Sequence, residues 1–153
     1  MRLDVFKNRS MSSGTIEYGP LAALIGTWRG DKGVDVAPEP GGREESAYFE
    51  TLTFEPIGAV TNAERQALVG LRYHQSVSRK KNNEVFHDQV GYWMWDKATS
   101  TVSQSIVIPR VVAVLAGGKA TTSGAEVVLE VATDGNDWRV IEQPFMRSEE
   151  HTS

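Results

Sequence analysis

The fold class is most apparent in QALVGLRYHQSVSRKKNNEVFHDQVGYWMWD, residues 66–96. Residues 66–79 and 85–96 each alternate between two faces, which is the pattern of a half-exposed β-strand. A basic, polar turn from Lys80 to Asn83 separates them. In the second segment one face carries His87, Gln89, Gly91, Trp93 and Trp95. The stretch therefore predicts an antiparallel hairpin with an aromatic face.

Further predicted strands flank this hairpin at near-regular spacing. They cover residues 27–30 and onward, 48–54, 101–108, 111–115, 125–133 and 138–143. We expect Pro56 and Gly58 to end the second of these strands. We expect Gly117-Gly118 to form a turn, and Asp134 to Asp137 to form a hairpin turn between the last two strands.

One short helix is predicted before the strands. Pro20 suits the first helical position, Leu21 to Ile25 supply one or two apolar turns, and Gly26 ends them. No long helical period lies between the strands, which excludes alternating βαβ folds. We predict an all-β antiparallel barrel, with a two-sheet sandwich as the alternative, and less than about a tenth helix.

Composition narrows the class of protein. The 153 residues include 16 Lys and Arg, 20 Asp and Glu, and no Cys. This length suits one domain, which we place at residues 15–153 behind a loose tail at 1–14. The net charge of −4 argues against nucleic-acid or membrane partners. Absence of cysteine excludes disulfides and thiol chemistry, and absence of a long apolar run predicts a cytoplasmic protein.

The candidate site residues are aromatic or basic. Four tryptophans fall on predicted strands, where their rings fill a core or line a ligand cavity: Trp28, Trp93, Trp95 and Trp138. Arg72 and Arg110 also fall within predicted strands. An inward arginine would need an anionic partner, whereas an outward one would need none.

The sequence contains no classical catalytic motif. The histidines have no metal-binding spacing, and His87, near Glu84 and Asp88, is either a metal ligand or a strand histidine with one hydrogen-bonded nitrogen. No Ser-His-Asp order or nucleophile elbow is present. The segment Gly117 to Thr121 lacks the hydroxyl residue that follows the lysine of a phosphate-binding loop.

The segment from Leu21 to Gly33 resembles the G-x-W-x-G-x-G motif of the nitrobindin-like family. The motif residues are Gly26, Trp28, Gly30 and Gly33, and the last is displaced by one position because Lys32 stands in its place. His87 to Tyr92 resembles the H-x-E-x-G-Y segment of that family. The resemblance extends from Pro20 to Phe145. It implies a lipocalin-like, fatty-acid-binding-protein-like β-barrel that binds haem b and takes part in nitric-oxide or peroxynitrite chemistry.

Apart from the resemblance, the residues themselves indicate how the barrel is closed and lined. Trp28, with small neighbours at Gly26 and Gly30, is expected to close one end of the barrel against the short helix. The residues expected to face the cavity are Trp28, Tyr73, His87, Trp93, Trp95 and Arg110.

The end of the chain departs from the family pattern. The resemblance implies ten strands and a C-terminal histidine that ligates haem iron, whereas about eight strands are predicted here. His151 is terminal by position only, so His87 and His151 both stay open as iron ligands. We expect weak or no haem binding by residues 1–153, and open strand edges favour a homodimer or an edge-strand assembly.

Three functions remain open from the sequence. The first is binding of haem or another small hydrophobic ligand in a barrel cavity. The second is a lipid carrier in which Arg72 or Arg110, with Tyr73, holds a carboxylate by charge-assisted hydrogen bonds. The third is a barrel fragment whose open edge serves assembly.

Overall fold

The computed structural model describes residues 16–63 and 66–144. The predicted tail at 1–14 and the candidate ligand His151 lie outside these residues. The described elements are a 3₁₀ helix, Gly19–Leu24, and eight strands: β1 Gly26–Glu39, β2 Gly42–Ala63, β3 Gln66–Arg79, β4 Val85–Asp96, β5 Thr101–Ile108, β6 Val112–Ser123, β7 Glu126–Ala132 and β8 Val140–Glu142. The all-β prediction with one short N-terminal helix is confirmed.

The short helix forms where proline and apolar residues predict it. Pro20 occupies its first turn, and Leu21 and Leu24 are buried. The indole Nε1 of Trp28 donates a hydrogen bond of 2.7 Å to the carbonyl oxygen of Leu24. This bond satisfies one of the carbonyls left unpaired at a helix end, and it joins the helix to the start of β1.

The strands form one antiparallel sheet in the order β1 to β7, with β8 also paired to β6. β7 pairs with residues 117–123 of β6, and β8 pairs with residues 112–114. Because β5 lies along the other edge of β6, β8 continues β7 on the same edge. The two short strands together occupy the position of one interrupted edge strand.

The predicted hairpin turn at Asp134 to Asp137 is therefore wrong, since β7 and β8 pair with β6 and not with each other. The Asp134 carboxylate accepts backbone N–H bonds from Asn136 and Trp138, at 2.8 and 3.0 Å. These bonds hold the pKa of Asp134 below its ordinary value. The segment is a local loop that interrupts the edge strand.

The predicted turn at Gly117-Gly118 is also wrong, because both glycines lie inside β6. A Cβ at Gly118 would lie 1.7 Å from the carbonyl oxygen of Glu130 on β7, and one at Gly117 would lie 2.1 Å from the Trp138 ring. Close approach of a neighbouring strand, and not chain reversal, explains this glycine pair. The turn lies further on, at Gly124.

Pro56 and Gly58 do not end their strand, contrary to expectation. β2 runs on to Ala63, and its register against β3 shifts between Pro56 and Gly58. Gly58 has φ +86°, and its N–H donates to the Tyr18 hydroxyl at 3.0 Å. The residues form a bulge that bends the strand without ending it.

The core lies against the short helix. Its buried members come from the helix segment and from five of the strands: Tyr18, Leu21, Leu24, Leu52, Phe54, Leu71, Tyr73, Trp93, Val102 and Leu129. The sheet must curl to bring residues of β2 and β7 into one cluster. Within the described residues, no helix is long and apolar enough to cross a membrane.

Candidate functional site

The interior face of the curled sheet changes character along the barrel axis. Near the short helix it is apolar, with the core residues described above. Towards the opposite end, where the β1–β2, β3–β4 and β5–β6 turns lie, it carries half-buried polar side chains: Glu50, Gln75, His87 and Gln89. We call this second region the polar wall.

Strand alternation places the sequence candidates as predicted on β3 and β4. Tyr73 and Trp93 are each 2% exposed, whereas Tyr92 is 42% exposed. His87 is half-buried and shares the inward face of β4 with Trp93. Tyr73, His87 and Trp93 therefore face the interior together.

A chain of hydrogen bonds follows the interior surface across β3, β4 and β5. His87 Nε2 donates a hydrogen bond of 3.0 Å to Gln89 Oε1, since an amide oxygen can only accept. Gln89 Nε2 donates to the Tyr73 hydroxyl at 2.9 Å, and Gln104 Nε2 donates to the same oxygen at 3.3 Å. The two amides thus orient both an imidazole and a phenol.

The Tyr73 hydroxyl is the centre of this chain. Its oxygen accepts from two amides, so its own proton is directed to another acceptor. Burial raises the pKa of the phenol, and the bonds from Gln89 and Gln104 offset part of that rise. Tyr73 is therefore a neutral hydrogen-bond donor at pH 7.

A second polar group on this face lacks a partner. Trp93 Nε1 is buried without a hydrogen-bond acceptor among the described residues. Leaving a buried donor unsatisfied costs about 1–3 kcal/mol. Trp93 is opposite Leu71 on β3 and Gln104 on β5, which places this unsatisfied indole beside the hydrogen-bonded chain.

Trp28 of the glycine–tryptophan motif and Trp95 both lie at the end of the sheet that carries the short helix. Trp28 is half-buried and packs on the core, and Trp95 does the same with its ring against Gly19, where a Cβ would lie 2.4 Å away. A Cβ at Gly26 or Gly30 would have no atom of Trp28 within 4 Å. Gly33 lies under the Tyr48 ring, while a Cβ at Gly30 would make only ordinary contact, with Glu50 at 3.7 Å.

The arginine candidates lie outside the interior. Arg110 is exposed in the turn between β5 and β6, not within a strand, because the bend at Pro109 ends β5 one residue earlier. The side chain of Arg72 is 60% exposed and pairs with Glu55 at 2.6 Å on the outer face. His74 is likewise on the outer face, 2.7 Å from Asp88.

Sequence reasoning missed three glutamine amides of the interior face. Gln75, Gln89 and Gln104 all fall on inward positions of adjacent strands, and Gln75 donates to Glu50. The available signal was the recurrence of glutamine on the face that also carries the aromatic residues. No group of three or more candidate metal ligands occurs among the described residues.

Comparison with known families gives one match. A family model described as a THAP4-like, heme-binding beta-barrel domain matches residues 17–152. No curated protein and no solved structure matches the chain.

Proposed function

This chain belongs to the THAP4-like, heme-binding β-barrel family, which is the nitrobindin-like family, and from that premise we propose that it binds haem against the polar wall. The observation that carries the proposal is the hydrogen-bonded chain from His87 through Gln89 to Tyr73 on the interior face. A binding site for a small ligand combines apolar walls with a few oriented polar groups, and this face has both.

The described residues supply the two kinds of contact that a haem group needs, an apolar surface and an imidazole ligand. Leu52, Leu71, Val77 and Trp93 supply buried apolar surface on the same face as the polar wall. A haem protein needs one axial side chain, most commonly an imidazole, and His87 is the described histidine on this face. Because Nε2–H donates a hydrogen bond to Gln89, the lone pair of a neutral His87 lies on Nδ1. The family match also includes His151, which is the second candidate ligand.

Each interior side chain has a definable role. Haem, when bound, supplies an iron centre for small gaseous or anionic ligands. Gln89 fixes the imidazole proton of His87 on Nε2, and together with Gln104 it leaves the Tyr73 proton for donation. Tyr73 can donate that proton to an oxygen atom in the interior. The apolar residues beneath exclude water from this position.

A lipid carrier that uses Arg72 or Arg110 is not favoured. Arg72 is paired with Glu55 on the outer face, and Arg110 is exposed in a turn. Neither guanidinium can hold a carboxylate beside Tyr73.

Titration with hemin tests the proposal. The wild-type chain should develop a shifted Soret band with micromolar affinity. His87→Ala should weaken binding about tenfold or more, because the variant loses the interior imidazole and the bond to Gln89. His74→Ala, a histidine of the outer face, is the matched control and should bind as the wild type does.

His151→Ala, measured alongside, decides which of the two histidines holds the iron. No Soret shift in the wild type would contradict haem binding. Equal loss in His87→Ala and His74→Ala would contradict the interior location.

A further inference from the structure

Tyr48, Arg79 and Phe86 form a row across the interior at the end opposite the short helix. Gly33, Tyr48 and Arg79 are successive cross-strand partners on β1, β2 and β3. The Arg79 guanidinium lies 4.6 Å from the centroid of the Phe86 ring, and Phe86 lies edge-on to Tyr48 with centroids 6.2 Å apart. We call Tyr48, Arg79 and Phe86 the mouth row.

A β-bulge creates the mouth row. Val77 pairs with His87 and Ser78 pairs with Val85, so Phe86 is the extra residue between them. A bulge re-aims side chains next to it, and here Phe86 contacts Tyr48 across the width of β3. The contact places Phe86 on the same face as Arg79, one residue nearer the β3–β4 turn than His87.

Arg79 is held against the Phe86 ring, but its ion pair with Glu84 is long. Its side chain is 25% exposed, and its Nη1 lies 3.6 Å from the carboxylate of Glu84, which is beyond hydrogen-bond distance. The carboxylate of Glu44 also acts on Arg79 electrostatically, but it accepts its hydrogen bond from Lys81. A guanidinium stacked on an aromatic ring keeps its N–H edge free for a planar anion.

The mouth row and the polar wall occupy different depths of the interior. Tyr73 and Arg79 are six positions apart on β3, which is about 20 Å of extended strand, and Gln75 of the polar wall lies between them. A ligand with an apolar body and a carboxylate at one end would meet Tyr73 with its body and Arg79 with its carboxylate.

We propose that Arg79, stacked on Phe86 at the mouth of the barrel, binds the carboxylate groups of the ligand that occupies the polar wall. The inference rests on the proposed function, because it assigns a subsite to the same ligand. Arg79 supplies two parallel N–H bonds to the carboxylate, and Glu84 competes for the guanidinium when the site is empty.

Binding of iron-free protoporphyrin IX, compared with its dimethyl ester, tests the assignment by fluorescence titration. The wild type should prefer the free acid. Arg79→Gln should weaken binding of the acid about tenfold, as expected for a lost charge-assisted hydrogen bond, and should leave ester binding unchanged. Glu84→Gln should strengthen acid binding, because it removes the competing charge.

Arg72→Gln, which changes an arginine of the outer face, is the matched control and should behave as the wild type. Equal loss of acid and ester binding in Arg79→Gln, or no change in either, would overturn the assignment while haem binding stands. Failure of wild-type protein to bind hemin and both porphyrins would overturn the assignment and the proposed function together. Oleate that displaces the acid, and does so less well in Arg79→Gln, would support the carboxylate subsite and identify a fatty acid as its source.

Discussion

Tyr73 shows how neighbours decide the chemistry of a single residue. Its ring stacks on Phe54 with centroids 6.0 Å apart, and its oxygen accepts from Gln89 and Gln104. Burial disfavours the phenolate more than these two amide bonds favour it, and so the pKa of Tyr73 is raised. The phenol is therefore protonated at neutral pH.

This raised pKa predicts a pH-dependent stability. The unfolded chain loses the phenol proton near pH 10, whereas the folded chain loses it at higher pH. The stabilising contribution is therefore complete below pH 10 and declines as pH rises through the folded pKa. Urea unfolding from pH 8 to 11 should show a steeper alkaline decline for the wild type than for Tyr73→Phe. Tyr92→Phe, at an exposed outward position, should follow the wild type, and parallel profiles for all three proteins would refute the raised pKa.

Single residues could be placed from the sequence where alternation was regular. The inward positions of Tyr73, His87 and Trp93 follow from their parity on β3 and β4, where the bulge at Phe86 lies just outside the regular stretch from His87 to Trp93. Arg110 could not be placed, because it lies one residue beyond the bend at Pro109. The orienting role of Gln89 depends on a contact with a neighbouring strand, which one sequence does not specify.

Among the elements, β6 shows that a glycine pair can lie inside a strand. Gly117 and Gly118 resemble a turn in the sequence, yet they lie within a strand that pairs with β5, β7 and β8. Turn signals and close-packing signals use the same residue type. Strand existence could therefore be predicted, whereas the ends of β2 and β6 could not.

Gly118→Ala should destabilise the protein by about 1–3 kcal/mol, as overpacking of a filled site does. Its Cβ would overlap the backbone oxygen of Glu130, at 1.7 Å, and backbone atoms cannot rotate away. Gly30→Ala is the control, since its Cβ would make only ordinary contact at 3.7 Å, and its effect should stay within about 0.5 kcal/mol. Denaturant unfolding measures both. Equal stabilities would mean that β6 and β7 do not approach as closely as described.

At the scale of the whole molecule, the sheet has two edges among the described strands. β1 pairs with β2 alone, and the interrupted strand of β7 and β8 pairs with β6 alone. Edge strands present unpaired backbone groups that invite pairing with another chain. The homodimer or edge-strand assembly stays a prediction, as do the cytoplasmic location and the single-domain boundary at residue 15.

The proposed ligand binds inside the curled sheet, and the positions of the tryptophans allow a direct test. Trp93 faces the interior beside the polar wall, whereas Trp138 covers Gly117 on the outer face, between the exposed Leu115 and Lys119. Protein labelled with ¹⁵N at its four tryptophans gives separate indole N–H signals, which Trp→Phe variants assign.

The deciding measurement is the change in these signals on titration with protoporphyrin IX. The Trp93 indole signal should move strongly, because the porphyrin ring lies close to it, while the Trp138 signal should not move. A shift at Trp138 with Trp93 unchanged would place the ligand outside the sheet and contradict the account.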